Sequence, residues 1–455
     1  MDLSTLTRDL NQSIQEKGYL PPEQRKQKLI ALKKAIVQRE AGINKALRAD
    51  LGKSAFESYA TEVGFIIEEL NYAIKHIDGW VRPKRVSTPM TLFPGTSFVH
   101  PEPFGVVLVI SPWNYPFQLC ISPMIGAFCA GNRVVIKPSE FATETSKVIK
   151  AITDEVFRPD EVLTVEGGLP QTQALLAQRF DYIFFTGSTT VGRIIMKAAA
   201  LHLTPVTLEL GGKSPCLIED SADLDLSAKR CAWGKFINAG QTCVAPDYVL
   251  VPRAKQDEFI SRMHRHLEAF YGKDPEASED YPRIINETHF DRLSRLLQSA
   301  TVAVGGKTSR EGRFISPTVL RDVRWEDKVM EEEIFGPILP VVPYEDLGEV
   351  VRKLRTLPKP LAFYVFSKDS KKTKDIIGQV PFGGGCINDT VVHLANPNLP
   401  FGGVGSSGLG SYHGLRSFET FTHYKSVFEQ STTVDIPVRY PPYKKKLGWL
   451  KFFIH

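Results

Sequence analysis

A chain of 455 residues exceeds what one hydrophobic core usually organises, so two or three domains are expected. With 42% hydrophobic and 24% charged residues and no low-complexity block, the composition excludes a disordered or fibrous chain. The net charge of +5 is mild and argues neither for nucleic acid nor against it; no nucleic-acid partner is among those expected.

The start, MDLSTLTRDLNQSIQ, carries acidic residues and no apolar core, so a signal peptide is not expected. No run of about 18 apolar residues occurs anywhere, so no helix is expected to span a membrane. In PEQRKQKLIALKKAIVQREAGINKAL, Leu29, Leu32, Ile36, Ile43 and Leu47 recur at helical spacing among charges. The pattern breaks in RPKRVSTPMTLFPG, which reads as an extended linking segment near 82–100.

From residue 104 short β-branched runs alternate with helical stretches. The runs are GVVLVI, RVVIKP, VLTVEGG, DYIFFTG and PVTLEL. Strands that are almost wholly apolar, separated by amphipathic helices, imply a parallel sheet covered on both faces. Five of them make an open, doubly wound α/β sheet of Rossmann type, with ligands expected at the carboxyl ends of the strands. A second α/β alternation runs from about 211 to 390, with strand candidates YVLVP, PILPVVPY, LAFYVFS and GGCIND. Beyond 425 the chain reads as extended, then basic and aromatic.

The six cysteines, 120, 129, 216, 231, 243 and 386, form no CxxC and no disulfide framework, which suits a reduced, cytoplasmic setting. Most read as small buried apolar residues. No metal site is expected: His264 and His266, spaced two apart on a helix, diverge.

DYIFFTGSTTVGRII is a strand, a tight turn and a helix start. Gly187 and Gly192 let backbone approach a ligand, and Ser188 or Thr189 can cap a helix whose N–H groups attract phosphate; a plain strand-to-helix turn explains it equally well. RVVIKPSE sets Lys137, Ser139 and Glu140 at a strand's ligand edge, where they suit a ribose diol or form an exposed salt pair. Two look-alikes fail. Gly403, Gly405 and Gly408 match GxGxxG but follow no strand and open no helix, and GGKS at 211–214 has Thr207 where a P-loop needs glycine.

Four further positions each have a dull explanation: Asn114 as a turn former, Glu209 as a surface acid, Cys243 as a buried thiol and Glu333 as a helix-start acid. Together they supply thiol chemistry on a carbonyl. A thiol near pKa 8.5 needs activation, a carboxylate can serve as base for it or for water, and an amide NH₂ can steady an oxyanion.

SPWNYPF, KPSE, FTGSTTVG, LELGGKSP, GQTC, EEIFGP and LPFGGVGSSG occur in this order, and the chain thereby resembles the aldehyde dehydrogenase superfamily over essentially its whole length. GQTCVAPDYVL, FGGVGSSGLGSYHG and RYPPY resemble its class 3, fatty-aldehyde branch. The resemblance implies a Rossmann-type NAD(P)-binding domain over 1–81 and 101–208 with part of 395–425. It further implies an α/β catalytic domain over 209–394, and a bridging arm and tail over 82–100 and 426–455. It implies Cys243 as nucleophile forming a thiohemiacetal and then a thioester, Asn114 with the Cys243 N–H as oxyanion hole, and Glu209 as base for the hydrolytic water. Trp113, Lys137, Ser139, Glu140, Gly187, Ser188, Gly192, Glu333 and Phe335 fall at cofactor positions, Glu333 having also been considered for proton transfer. Tyr115, Leu119 and Trp233 are tunnel-wall candidates, and Asn388 and Phe401 match positions beside the nicotinamide.

The expected reaction is oxidation of medium- or long-chain aliphatic, aromatic or apocarotenoid aldehydes to acids. Glu140 suggests NAD, with NADP also accepted beside Lys137, and the arms suggest a homodimer. Transfer of the acyl group to coenzyme A, plain ester hydrolysis and a retired, non-catalytic fold are the alternatives; Glu209 speaks against the first and the intact Cys243, Glu209 and Asn114 against the last. Lys444, Lys445, Lys446, Trp449, Phe452 and Phe453 suit an anionic membrane surface, or else the tail folds over the tunnel entrance.

Overall fold

The computed structural model describes residues 3–298 and 300–454. Two helices, Pro22–Gln38 and Glu40–Leu51, occupy the stretch of helical periodicity near the start, and they part at Arg39. Leu29, Leu32, Ile36, Ile43 and Leu47 are all fully buried, so the spaced apolar stripe is the face that packs on the core.

The five β-branched runs form one parallel sheet in the order Val206–Leu210, Tyr182–Gly187, Val106–Ile110, Arg133–Lys137 and Val162–Thr164. Every residue of Val106–Ile110 and Arg133–Lys137 is buried, as a sheet covered on both faces requires. Chain order reverses between Val106–Ile110 and Tyr182–Gly187. That is the topological switch point, and the turns after Ile110 and Gly187 flank it. Gly408–Leu409 adds a short antiparallel sixth strand along Val206–Leu210.

A second sheet has seven strands: Val302–Val304, Thr318–Leu320, Ile338–Tyr344, Tyr248–Pro252, Pro215–Ile218, Ala362–Phe366 and Gly384–Ile387. All neighbours are parallel except the first pair. Pro215–Ile218 and the two strands at the far edge were not foreseen from the sequence. They are three or four residues long, too short to carry a period, and PCLI begins on Pro215, the last residue of the LELGGKSP motif.

Lys84–Val86, Thr96–Pro103 and Thr422–Glu429 make a third, antiparallel sheet. Eight residue pairs run from Thr422↔Pro103 to Glu429↔Thr96, joining the two segments that sequence read as extended. Most side chains of Thr422–Glu429 are exposed, so this sheet projects from the body. No described helix is long and apolar enough to cross a membrane. Lys444, Lys445 and Lys446 precede the helix Leu447–Ile454, while the side chains of Trp449, Phe452 and Phe453 lie outside the described residues.

Candidate active site

The carboxyl ends of the first sheet face the amino ends of the second, and a cavity of about 1230 Å³ opens between them. Its walls include Asn114, Glu209, Cys243 and Glu333, which lie far apart in the chain.

Cys243 owes its place to the backbone just before it. The helix Leu224–Phe236 is capped by Asp223, whose side chain accepts from the Leu226 N–H. After the helix Asn238 and Ala239 adopt φ of 52° and 51°, left-handed values that non-glycine residues rarely hold. Gly240, at φ 72°, lies so close to the Gly336 carbonyl that a Cβ would approach its oxygen to 2.2 Å. Side chains hold this turn. Gln241 donates to the Asn238 and Arg283 carbonyls at 3.0 Å each and accepts from the Ile285 N–H at 3.0 Å. Asn238 Nδ2 donates to the Asn114 carbonyl at 2.7 Å.

Asn114 follows the strand Val106–Ile110 at the switch point and is buried. Its Nδ2 donates one N–H to the Gln241 carbonyl at 3.0 Å, which fixes the carboxamide against the Cys243 turn and leaves the second N–H. Tyr115 O–H pairs with Thr242 Oγ1 at 2.6 Å, a second tie between the two loops.

Glu209 is 2% exposed, and neither carboxyl oxygen has a hydrogen-bond partner among the described residues. Burial holds this carboxyl well above the usual carboxylate range. It is read better as an unspent acid–base group than as the surface acid that its strand-end position permits. Burial, then the Glu333 and Glu209 carboxyls, push the Cys243 thiol up to about 12. Glu333 rises to about 8 through burial and the neighbouring Asp247. A Cβ on Gly211 would come within 1.9 Å of Glu333 Oε2, so the missing side chain leaves the space that this carboxylate occupies.

Lys213, in the run that mimics a P-loop, is a tether: its Nζ donates to Asp247 and to the Val329 and Glu332 carbonyls. Asp247 in turn accepts from the Ile334 N–H at 2.9 Å, which sets Glu333 and Phe335 at the cavity. Phe335 adopts φ 49° and meets Trp113 edge-on at 5.4 Å. The GGVGSSG run is a turn on Glu209's strand, with Gly408 opposite Glu209. A Cβ on Gly403 would approach the Ser407 carbonyl oxygen to 2.0 Å.

Ser188 caps the helix Thr189–Ala200 by accepting from the Val191 N–H, and Gly187 and Ser188 line the cavity. Gly192 does not. Its missing Cβ makes room for Leu210, at 2.6 Å, so its glycine serves helix-to-strand packing and not ligand approach. Lys137, Ser139 and Glu140 end their strand outside the walls of this cavity, with Lys137 Nζ 2.8 Å from the Pro138 carbonyl and 3.4 Å from Glu140. Ser139 Oγ accepts from the Phe141 N–H at 3.3 Å.

Tyr115, Leu119, Trp233 and Phe401 line the cavity. Asn388 does not, and the expectation for it is corrected: its carboxamide is bound both ways to Ser367, at 2.8 and 2.9 Å, and braces the end of a neighbouring strand. Lys53, Glu57 and Glu62 were missed. They are buried beneath the Asn114 loop, in a stretch read only as part of the helical start. The signal was two acids five apart, a spacing that an α-helix turns to different faces. Here the turn Tyr59–Val63 is π-helical, and both acids bond to the loops of the site.

The model of the aldehyde dehydrogenase family matches residues 11–427. The chain belongs to the aldehyde dehydrogenase family. This dehydrogenase is 47% identical over 431 residues to the 4,4'-diaponeurosporen-aldehyde dehydrogenase of Staphylococcus aureus, covering 94% of each chain. It is 45% identical over 429 residues to the dimeric NADP-preferring aldehyde dehydrogenase of Mus musculus, covering 94% of this chain and 95% of the other. The solved Staphylococcus aureus AldH, in its substrate-bound state, superposes with a TM-score of 0.98 at 45% identity and full coverage of both chains. The enzyme is an oxidoreductase that oxidises aldehydes.

Proposed function

We propose that the enzyme oxidises medium- or long-chain aliphatic or apocarotenoid aldehydes, and aromatic ones, to carboxylic acids with NAD or NADP, through a thiohemiacetal and a thioester on Cys243. One observation carries the reading: Cys243, the amide of Asn114 and a buried, unpartnered Glu209 carboxyl share a single roomy cavity.

The walls fit a dinucleotide. A capped helix begins at the carboxyl end of a strand beside the switch point, where free N–H groups and the helix dipole favour phosphate. Trp113, Gly187, Ser188, Glu333 and Phe335 would hold the cofactor inside the cavity, with Lys137, Ser139 and Glu140 toward its adenosine end. Hydride acceptance is the chemistry that a bound nicotinamide supplies. Cys243 Sγ attacks the aldehyde carbon after releasing its proton to water, and the second Asn114 N–H and the Cys243 N–H steady the oxyanion. Once the acyl group is a thioester on Cys243, Glu209 takes a proton from the water that releases the acid.

The apolar wall of Phe65, Leu119, Trp233 and Phe401, and the substrate in the staphylococcal relative's name, support long apolar aldehydes. A division into cofactor and catalytic domains close to the 208/209 line draws support from the first sheet's strand ending at Leu210, two residues beyond it, and the next sheet's starting at Pro215. The projecting third sheet and the dimeric mouse relative support a homodimer. A cytoplasmic setting, with the tail either at a membrane surface or folded over the tunnel entrance, completes the proposal.

The test is decanal with NAD or NADP, followed at 340 nm. Cys243→Ser is expected to lose all measurable turnover while cofactor binding stays intact. A serine variant that still turns over would refute the nucleophile.

A further inference from the structure

Lys53 and Glu62 are both wholly buried, with Lys53 Nζ 2.6 Å from Glu62 Oε1. The pair touches the loop that carries Asn114 at both of its ends. Lys53 Nζ donates to the Asn114 carbonyl at 3.2 Å and sits 4.0 Å from the centre of the Tyr115 ring. Glu62 Oε2 accepts from the N–H groups of Phe117 and Gln118, at 2.8 and 3.1 Å. A third group closes the frame: Glu57 Oε1 accepts from the Asn238 N–H at 2.9 Å, and Asn238 Nδ2 reaches the same Asn114 carbonyl. The floor of the site is therefore one ionic and hydrogen-bonded brace linking residues 53–62, 114–118 and 238–241.

We propose that the buried Lys53–Glu62 pair is a positioning device for catalysis, clamping the Asn114 loop so that the Asn114 carboxamide faces the carbonyl oxygen captured at Cys243. The proposal rests on the oxyanion reading of Asn114 given above. The physical case is that a charged pair taken fully out of water is a poor source of net stability, since desolvation offsets most of its attraction. What it supplies is directed bonds. Lys53 has three N–H donors, one spent on Glu62 and one on the Asn114 carbonyl. Glu62 spends one oxygen on Lys53 and the other on two backbone N–H groups. Every one of these bonds restrains the backbone on either side of Asn114, and none touches the cavity's reacting atoms. An oxyanion donor works only where its N–H meets the developing charge, and a misplacement of about 1 Å can lower the rate by about a hundredfold.

The test uses the full chain with five variants: Lys53→Met/Glu62→Gln, Asn114→Ala, the triple combination, and Glu62→Gln alone and combined with Asn114→Ala. The paired change leaves no unpaired buried charge, and glutamine can still accept from Phe117 and Gln118. The expected double variant is folded and binds cofactor as before, with KM for decanal within about threefold. Its kcat falls by about tenfold to a hundredfold. Adding Asn114→Ala to it is expected to cost little more, because both changes disable the same donor. A folded double variant with undiminished kcat, beside an impaired Asn114→Ala, overturns the proposal alone. Losses that multiply in the triple variant also overturn it. An Asn114→Ala enzyme with full activity removes the oxyanion reading and the clamp together. If the double variant does not fold, Glu62→Gln alone and combined with Asn114→Ala is held to the same kcat and additivity criteria.

Discussion

Cys243 and Glu209 are held neutral by the same cause, removal from water, and this gives the site its pH behaviour. Burial, with two carboxyls nearby, pushes the Cys243 thiol up to about 12, so across the neutral range its thiolate grows about tenfold with each pH unit. Alkylation of Cys243 by iodoacetamide in the cofactor-free enzyme, followed by peptide mass spectrometry, is expected to accelerate in that proportion from pH 7 to 10. A plateau near neutrality would mean that a neighbouring group activates the thiol. For Glu209 the sign is the same: a raised carboxyl pKa means that the base form appears only as pH rises. Acyl-enzyme hydrolysis should therefore quicken with pH. Glu209→Gln is expected to slow deacylation at least tenfold, accumulate thioester and flatten this pH dependence, as read by burst kinetics. Unchanged burst and steady-state rates in that variant would remove the role of Glu209.

At the scale of elements, the site depends on turns that local preference alone would not choose. Asn238, Ala239 and Gly240 are all left-handed, and Gly240 has no room for a side chain. Gly240→Ala adds a Cβ about where the Gly336 carbonyl stands. It is expected to destabilise the protein by about 2 kcal/mol or more and to lower kcat beyond what unfolding explains, since Cys243 lies three residues on. Urea denaturation and kcat per folded molecule separate the two effects; a stable, fully active alanine variant would show that the turn's geometry does not matter. The NAGQTC sequence carries Asn and Gly, residues that tolerate left-handed backbone. It gave no hint of the turn's partners Arg283, Ile285 and Gly336, which come from later in the chain.

At the scale of the whole molecule, the third sheet stands out because it covers no core. Thr422–Glu429 is the longer of its two edge strands, with Tyr424 and Phe428 among its exposed residues. An eight-residue edge with open N–H and C=O groups is a template for a second chain. Sedimentation is expected to give twice the chain mass, and Tyr424→Asp/Phe428→Asp to shift the enzyme toward monomer with its cofactor site intact. A wild-type chain sedimenting as a monomer would sink the dimer.

The sequence by itself determined the family, the five buried strands of the first sheet, the helical start and the chemistry-bearing types at Asn114, Glu209, Cys243 and Glu333. These were legible because period, strand-end position and ordered motifs are local properties of a chain. Only the tertiary structure decided which glycines face a ligand and which face a neighbour, as Gly192 against Leu210 shows. It also moved Asn388 out of the site and brought Lys53, Glu57 and Glu62 into it. The reason is physical: burial and hydrogen-bond partnership belong to pairs of residues distant in the chain, and a carboxylate on a charged helix looks the same in sequence whether its face meets water or the floor of an active site.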